Sequence, residues 1–226
     1  MNNNNNVIKG AIFDCDGTLL DSLGAWRSLE EEVARQAGVV VTPEEHKLFT
    51  TFTIPEVARY FHEQYGFGQS TEAVKAIMDE YMMAYYEAAH LLPGAEALLE
   101  SCARNEVKMT MASSSKAEFL RAGAKATGIA GYFCAIISVD EVGASKREPA
   151  IYNRARDVMG TGKPLTWGFE DSLYAMDTLV GAGYPVLGLY DEAHGVPQCE
   201  VEKRSRLAVP SLERVVVQEG KLQLLR

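Results

Sequence analysis

The strongest constraint on the fold is an alternation of short apolar runs with helical patterns that begins near residue 95. The strand-like runs lie at residues 107–112, 133–138, 165–169 and 185–190. The helical segments around them lie at residues 95–104, 115–127, 149–159 and 172–182. One more β-branched run, at 7–13, precedes them all. This alternation predicts an α/β fold with a Rossmann-like parallel sheet, a three-layer core with helices on both faces.

Residues 22–90 interrupt this rhythm, because they show helical periodicity only. Thr42 with Glu45, and Thr53 with Glu56, have the three-residue spacing of capping boxes. Each pair therefore predicts the start of a helix. The segment as a whole is predicted to be all-helical.

We therefore predict two domains and a tail. The α/β catalytic core comprises 7–20 and 92–226, the inserted helical cap comprises 21–91, and residues 1–6 form a disordered tail. An insert that follows the carboxyl end of a strand is expected over the crevice where open α/β sheets bind ligands. The insert is thus a candidate lid.

Charge and composition exclude several classes of partner. Acidic residues outnumber basic ones by 31 to 22, which gives the 226 residues a net charge of −9. This charge disfavours nucleic acid and anionic membrane surfaces. No run approaches the roughly 18 unbroken apolar residues of a membrane span, and the asparagine-rich start lacks the features of a secretory signal. We expect a cytoplasmic protein, and nothing requires more than a monomer.

The cysteines and histidines carry no metal-binding pattern. The four cysteines are far apart and form no C-x-x-C pair, which predicts reduced, mostly buried thiols: Cys15, Cys102, Cys134 and Cys199. The four histidines show no H-E-x-x-H or similar spacing. Each histidine is expected to be a surface or packing residue.

Two aspartates, Asp14 and Asp16, stand one residue apart in "FDCDGTLLDS" (13–22), at the end of the first apolar run. In extended backbone they share one side of the strand, while Cys15 faces the other. Like charges about 4 Å apart repel by roughly 4 kcal/mol at an effective dielectric of 20. A hard divalent cation with oxygen ligands would offset that repulsion.

Two other interpretations of this pair are weaker. A calcium loop of the D-x-D type needs an acceptor at its fifth position, glycine at its sixth and glutamate at its twelfth. Those positions hold Thr18, Leu19 and Ala25. Two exposed aspartates in a surface turn would be simpler still, but the buried-type strand before them argues against it.

A second acidic pair, Glu170 and Asp171 in "FEDS", also ends an apolar strand. Alone it could be a helix N-cap, with Asp171 or Ser172 as the capping residue. In a parallel sheet, however, both acidic pairs lie at carboxyl ends and face one crevice. Their convergence favours an octahedral Mg²⁺ site.

Two further segments add phosphate-binding chemistry. "MASSSK" (111–116) brings hydroxyls and backbone N–H groups to a helix N-terminus, which is a ready anion site. Ser114 or Ser115 could also cap that helix, and the two readings are compatible. Lys146, in "SKREPAIY" (145–152), precedes a helix that begins near a proline. Alone it would be an ordinary surface lysine; its place among the other signals makes it a candidate.

Taken together, these motifs resemble the haloacid dehalogenase-like superfamily of aspartate-nucleophile phosphotransferases. The resemblance covers about residues 7–191 and is greatest for the branch with a helical cap after the first strand, which includes β-phosphoglucomutase and many small-molecule phosphatases. It implies that Asp14 is the nucleophile, which forms an aspartyl-phosphate. It implies that Asp16 is the general acid and then the base.

The resemblance also assigns the remaining groups. Ser113 and the backbone of Ser114 would hold phosphoryl oxygens, with Lys146 balancing their charge. Mg²⁺ would be bound by Asp14, the carbonyl of Asp16 and Asp171, with Glu170 as a further or water-mediated ligand. Relatives that cleave carbon–halogen or carbon–phosphorus bonds lack an aspartate at the position of Asp16, so its presence disfavours those reactions.

Two departures from the family pattern bear on substrate. Arg147 replaces the first proline of the usual Lys-Pro-x-Pro motif, while Pro149 matches the second. Mutases of the family use an arginine in the cap's substrate loop, but residues 48–58 contain no Arg or Lys, and Ile54 falls about where that arginine would be. Lys116 could still bind a distal phosphate.

We therefore predict a Mg²⁺-dependent phosphatase that acts on a small phosphorylated metabolite, with a sugar phosphate as one candidate. The cap residues expected near the substrate are Trp26, Phe52, Thr53 and Ile54. The alternative is a sugar-phosphate mutase, which would need a bisphosphate activator. A third possibility is a non-catalytic protein that binds phosphorylated metabolites, which retention of both Asp14 and Asp16 disfavours.

Overall fold

The structure is a computed structural model that describes residues 6–49 and 52–225. The tail predicted at 1–6 lies outside these residues except for Asn6, whose carbonyl accepts a hydrogen bond from the N–H of Leu222 at 2.9 Å. Two compact units are present. The first comprises the described parts of Met1–Asp21 and Ala89–Arg226, and the second is Ser22–Ala88.

The strands are β1 (Gly10–Phe13), β2 (Lys108–Ser113), β3 (Ala135–Ser138), β4 (Thr166–Glu170), β5 (Val186–Leu189), β6 (Leu207–Val209), β7 (Val215–Gln218) and β8 (Lys221–Leu224). The helices of the first unit are α5 (Ala95–Arg104), α6 (Ala117–Ala126), α7 (Val139–Val142), α8 (Ala150–Met159), α9 (Leu173–Gly181) and α10 (Gln198–Arg204). The helices of the second unit are α1 (Leu23–Ala37), α2 (Pro43–Phe49), α3 (Ile54–Tyr65) and α4 (Thr71–Glu87).

Six of the strands form a parallel sheet in the order β3-β2-β1-β4-β5-β6. The predicted α/β fold with a Rossmann-like parallel sheet is confirmed. The chain runs from β1 to one edge and then returns to build β4, β5 and β6 on the other side. The gap between β1 and β4 is thus the switch point of the topology, where sheets of this kind bind ligands at their carboxyl ends.

The ends of β1 and β4 are fixed by packing under the switch point. Phe13 pairs in register with Phe169, and their rings stack with centroids 4.3 Å apart. The N–H of Asp14 then donates to the carbonyl of Phe169 at 2.9 Å. Both rings are buried, so this contact holds the first residues beyond the two strands at one height.

The C-terminal part departs from expectation. Beyond the last strand-like run at 185–190 the sequence pattern is weak and predicts only a short strand and a helix, to which β6 and α10 correspond. The antiparallel β7–β8 hairpin was not predicted. Its turn uses Glu219 and Gly220, both with positive φ. Its residues give only a brief apolar alternation, which is a weak signal in a sequence.

Gly94 is the N-cap residue of α5. It has φ 85°, and a Cβ there would lie 2.1 Å from the backbone nitrogen of Glu213. Only glycine combines that dihedral angle with so close a backbone approach. The "LLPG" segment is therefore a point where the chain passes against the residues that precede β7.

The second unit is helical, and its two predicted capping boxes are present. The N–H of Thr42 donates to the Glu45 carboxylate at 2.8 Å, and the N–H of Thr53 donates to that of Glu56 at 2.7 Å. Glu45 also accepts from the hydroxyl of Tyr65 at 2.6 Å, and these bonds lower the pKa of Glu45 to about 2. The side chain of Glu45 therefore links α2 to α3.

All four cysteines are free thiols. Cys15 and Cys102 are buried, whereas Cys134 and Cys199 are exposed, so the prediction of mostly buried thiols is right for only half of them. Among the described residues, no helix is both long enough and apolar enough to cross a bilayer.

Candidate active site

Three carboxylates meet at the carboxyl edge of the sheet, at the switch point between β1 and β4. Asp14 follows β1, Glu170 ends β4 and Asp171 follows it. Each offers an oxygen, and these oxygens lie within 4.8 Å of one another. The arrangement follows from topology, since parallel neighbours bring residues beyond their carboxyl ends to one edge.

Lys146 is buried among these carboxylates. Its side chain is 3% exposed, and its Nζ lies 2.5 Å from Oδ1 of Asp14 and 2.8 Å from Oε2 of Glu170. It occupies the turn between α7 and α8. The alternative reading as an ordinary surface lysine is therefore wrong.

Burial makes these charges costly. The pKa of Asp14 is raised to about 8 by burial and by Glu170, although Lys146 opposes the shift. Burial raises the pKa of Glu170 to about 7, and burial together with Asp14 raises that of Asp171 to about 7. The two carboxylates that it contacts raise the pKa of Lys146 well above its usual range against the effect of burial.

One ammonium group cannot balance three carboxylates, so the cluster carries an excess of buried negative charge. The donors are all hard oxygens, which suit Mg²⁺ or Ca²⁺ rather than a soft metal. A divalent cation would favour the ionised forms and offset their burial. The residues present thus fit the predicted kind of ion.

Asp16 has different partners. Its Oδ2 accepts from the hydroxyl of Ser115 at 2.6 Å and from that of Ser113 at 3.3 Å. Ser113 ends β2, next to β1 in the sheet. The two aspartates are therefore held differently: the carboxylate of Asp14 contacts an ammonium group, and that of Asp16 contacts hydroxyls.

Ser115 and Ser138 are functional candidates that the sequence reasoning missed. The N–H of Ser115 donates to Oγ of Ser113 at 3.1 Å, and its carbonyl accepts from Oγ of Ser138 at 2.8 Å. Ser138 pairs in register with Ser113 at the end of β3. A signal was available, since hydroxyl residues end both strands.

The helix-cap interpretation is wrong for the serine run and only partly right for "FEDS", where Ser172 holds the N-cap position. Lys116 occupies the N-cap position of α6, so neither Ser114 nor Ser115 does. Ser114 is exposed. Ser172 holds the N-cap position of α9 without a capping bond from its side chain, and Asp171 belongs to the acidic cluster.

Arg147, the departure from the family motif, points to a different partner from its neighbour Lys146. Its guanidinium lies 4.6 Å from the ring centroid of Tyr174 on α9. Lys146 keeps both of its carboxylate contacts. The absence of proline at 147 therefore does not displace the lysine.

The other predicted substrate residues have mixed surroundings. Trp26 is 42% exposed on α1, whereas Ile54 is buried within the helical unit. Thr53 is exposed, but its hydroxyl donates to Glu56 at 2.7 Å, and the half-buried Phe52 lies 6.2 Å from Phe49 between ring centroids. Lys116, in the first unit, lies 5.3 Å from the ring centroid of Phe119.

A family model of haloacid dehalogenase-like hydrolases matches residues 8–183. The chain belongs to this family. The predicted family and the prediction of a hydrolytic enzyme are confirmed. The match covers β1, β4 and every residue of the acidic cluster.

Individual relatives of this hydrolase are distant. It is 27% identical over 168 residues to YhcW, a candidate phosphatase of Bacillus subtilis (strain 168), with 74% of this chain and 76% of that protein covered. It is 26% identical to hexitol phosphatase B of Escherichia coli (strain K12), with 75% of this chain and 78% of that protein covered.

Among solved structures, a β-phosphoglucomutase candidate from Thermotoga maritima superimposes with a TM-score of 0.78. It is 21% identical and covers 92% of this chain and 96% of its own. At this identity the likeness shows the shared fold.

Proposed function

We propose that this hydrolase is a Mg²⁺-dependent phosphatase that cleaves a small phosphate monoester through an aspartyl-phosphate on Asp14. The observation that carries the proposal is the contact of buried Lys146 with both Asp14 and Glu170. This contact places the proposed nucleophile Asp14 beside the positive charge of Lys146 and the acidic cluster, at the switch point of the sheet. The likeness to two proteins named as phosphatases supports the same reaction class.

In the first step, a carboxylate oxygen of Asp14 attacks phosphorus, and the bond to the ester oxygen breaks. Lys146 binds Oδ1 of Asp14, so we assign the attack to Oδ2. Asp16 gives its proton to the leaving oxygen, which departs as an alcohol. The hydroxyl of Ser115 holds the carboxyl group of Asp16 in place for this transfer. The longer 3.3 Å contact of the Ser113 hydroxyl with Asp16 is given up when that hydroxyl turns to a phosphoryl oxygen.

In the second step, Asp16 takes a proton from water, and the resulting oxygen attacks phosphorus. The bond to Asp14 breaks, which releases inorganic phosphate and restores the carboxylate. Ser113 and the N–H of Ser114 orient phosphoryl oxygens, and the charge of Lys146 opposes the negative charge that develops on them. Mg²⁺, held by Asp14, Asp171, the carbonyl of Asp16 and Glu170, would supply further charge neutralisation.

The substrate is proposed to be a free small metabolite. A net charge of −9 disfavours nucleic acid, and a sugar phosphate suits the likeness to hexitol phosphatase B. The role of the helical unit as a cap is a proposal that rests on its insertion after β1. Trp26 is its leading substrate-contact candidate because it is exposed.

The test is a panel of phosphate monoesters, assayed for phosphate release with and without Mg²⁺. Wild type should release phosphate from at least one ester only with the metal, and Asp14→Asn should be inactive. Asp140→Asn, the same change at an exposed site on α7, should retain activity. Isomerisation of a sugar phosphate that needs a bisphosphate and releases little phosphate would instead favour the mutase.

A further inference from the structure

A second concave site lies at the amino ends of the strands, at the opposite end of the sheet from the candidate active site. A cavity of about 420 Å³ is lined by residues that precede or begin three strands: Pro164 before β4, Pro185 and Val186 at β5, and Arg206 before β6. Asp14 and Glu170 stand at the other, carboxyl ends of the strands. The cavity is therefore separate from the candidate active site. It is an open cleft and not an enclosed chamber, so it would cover one face of a small molecule.

The walls of this cavity combine apolar and cationic groups. Pro164, Val180 and Pro185 supply the apolar part, and the buried Val186 lies behind them. The cationic part includes Lys203 and Arg204, which also line the cavity. These two are engaged already: each lies 2.5 Å from Glu200, and Arg204 lies 3.2 Å from Asp177.

Two other cations are held by aromatic rings instead of by carboxylates. Lys163, beside Pro164, has its Nζ 5.2 Å from the ring centroid of Tyr184 and donates to the carbonyl of Ala182 at 3.0 Å. The guanidinium of Arg206 lies 5.4 Å from the ring of Trp167. Among the residues that the structure describes, neither cation forms an ion pair with a carboxylate.

Such an arrangement has a physical consequence. A cation over a ring face keeps a fixed position without losing its charge to a counter-ion. In a protein of net charge −9, two such cations beside one cavity form a local exception to the acidic surface. Their fixed positions reduce the entropic cost of binding an anion.

We propose that this cavity binds an organic anion. Its apolar or planar body lies against the proline and valine walls. Its phosphate or carboxylate group is bound by Arg206 in the wall and by Lys163, which is not itself a lining residue but lies over the lining residue Tyr184. Arginine and lysine together suit such a group, since the guanidinium can donate two parallel hydrogen bonds and the ammonium adds a point charge.

The test uses adenosine monophosphate as the probe, with chelator present so that turnover is blocked. The chain has two tryptophans, so a Trp26→Phe protein reports on Trp167 alone. If the bound nucleotide draws Arg206 away from the indole of Trp167, the fluorescence emission of Trp167 should change. We expect a saturable change, with adenosine and inorganic phosphate each binding more weakly than the nucleotide.

Variants then locate the site. Binding to the variants is measured by isothermal titration calorimetry, because Arg206→Ser removes the group on which the emission change depends. Lys163→Ser with Arg206→Ser should weaken binding at least tenfold, whereas Lys125→Ser on α6 should leave it unchanged. No saturable change at millimolar nucleotide, equal binding by the double variant, or equal binding of phosphate alone would overturn the proposal.

If the double variant does not fold, backbone amide shifts in the wild type decide the question. Shifts at Gly183 and Ser205, which line the cavity, support the proposal. Shifts confined to the residues around Asp14 and Ser113 contradict it.

Discussion

The Nζ of Lys146 lies 2.8 Å from Glu170 while it contacts Asp14, so one ammonium group joins two carboxylates at the carboxyl ends of neighbouring strands. This relationship couples stability to chemistry. The lysine offsets buried negative charge, and the same charge faces the phosphoryl group in the proposed reaction.

Lys146→Met should lower kcat by about 10²–10³, because it removes a fixed positive charge beside the developing phosphoryl charge. Arg147→Ala should change kcat less than about threefold, since Arg147 contacts Tyr174 and not the carboxylates. Steady-state kinetics at saturating Mg²⁺ compare the two. Equal losses in both variants would show that the lysine contact is not specific to catalysis.

Ser115→Ala should lower kcat by about 10- to 100-fold, which corresponds to the loss of one hydrogen bond to a charged group. The hydroxyl of Ser115 donates to Asp16 at 2.6 Å, and without it the acid–base group loses this short hydrogen bond. Ser114→Ala is the matched control, since that side chain is exposed and only its backbone N–H is assigned a role. An unchanged kcat in Ser115→Ala would remove the serine from the mechanism.

Without metal, the protein should lose stability as pH rises from about 4 to 8. The folded-state pKa of Asp14 is about 8, and those of Glu170 and Asp171 are about 7, all above the ordinary values of 3.8 for aspartate and 4.5 for glutamate. The folded state then binds more protons than the unfolded state in this window, so the free energy of unfolding falls as pH rises.

Thermal unfolding in chelator and in Mg²⁺ measures this effect. The stabilisation by Mg²⁺ should be greater at pH 8 than at pH 5, because protons compete with the ion for the carboxylates. Asp14→Asn should flatten the pH dependence in chelator. A midpoint in chelator that rises steadily from pH 5 to 8 would contradict the assigned burial of charge.

Gly94→Ala should destabilise the protein by more than about 2 kcal/mol, because it combines an unfavourable positive φ with a backbone clash at Glu213. Gly128→Ala separates the two causes. Gly128 has φ 77° with nothing within 4 Å of the added Cβ, so its cost should be only about 1 kcal/mol. Denaturant titration of both variants tests the difference, and equal losses would show that the close approach at Gly94 is unimportant.

Sequence reasoning succeeded where the signal is local or follows from topology. The strand before Asp14, the strand before Glu170 and both capping boxes are written in adjacent residues. Once the sheet is known to be parallel, Asp14 and Asp171 must lie at the same end of it. Sequence reasoning did not predict that Ser115 would contact Asp16, because that hydrogen bond joins side chains of residues 99 positions apart.

The cationic cavity shows the same limit. Lys203, Arg204 and Arg206 are close in sequence, yet the sequence gives no sign that Arg206 lies over Trp167 or that Lys163 lies over Tyr184, a residue that lines the cavity. These contacts form because the amino ends of β4, β5 and β6 lie side by side. Side-chain partners across strands are set by packing and not by local pattern.

The most direct test of the account is detection of phosphate on residue 14. Wild type mixed with Mg²⁺ and p-nitrophenyl phosphate is quenched in acid within one turnover, digested and analysed by mass spectrometry. The account predicts one added phosphoryl group on the peptide that contains Asp14, absent in Asp14→Asn. Phosphate release by wild type with an unmodified Asp14 peptide throughout the first turnover would contradict it.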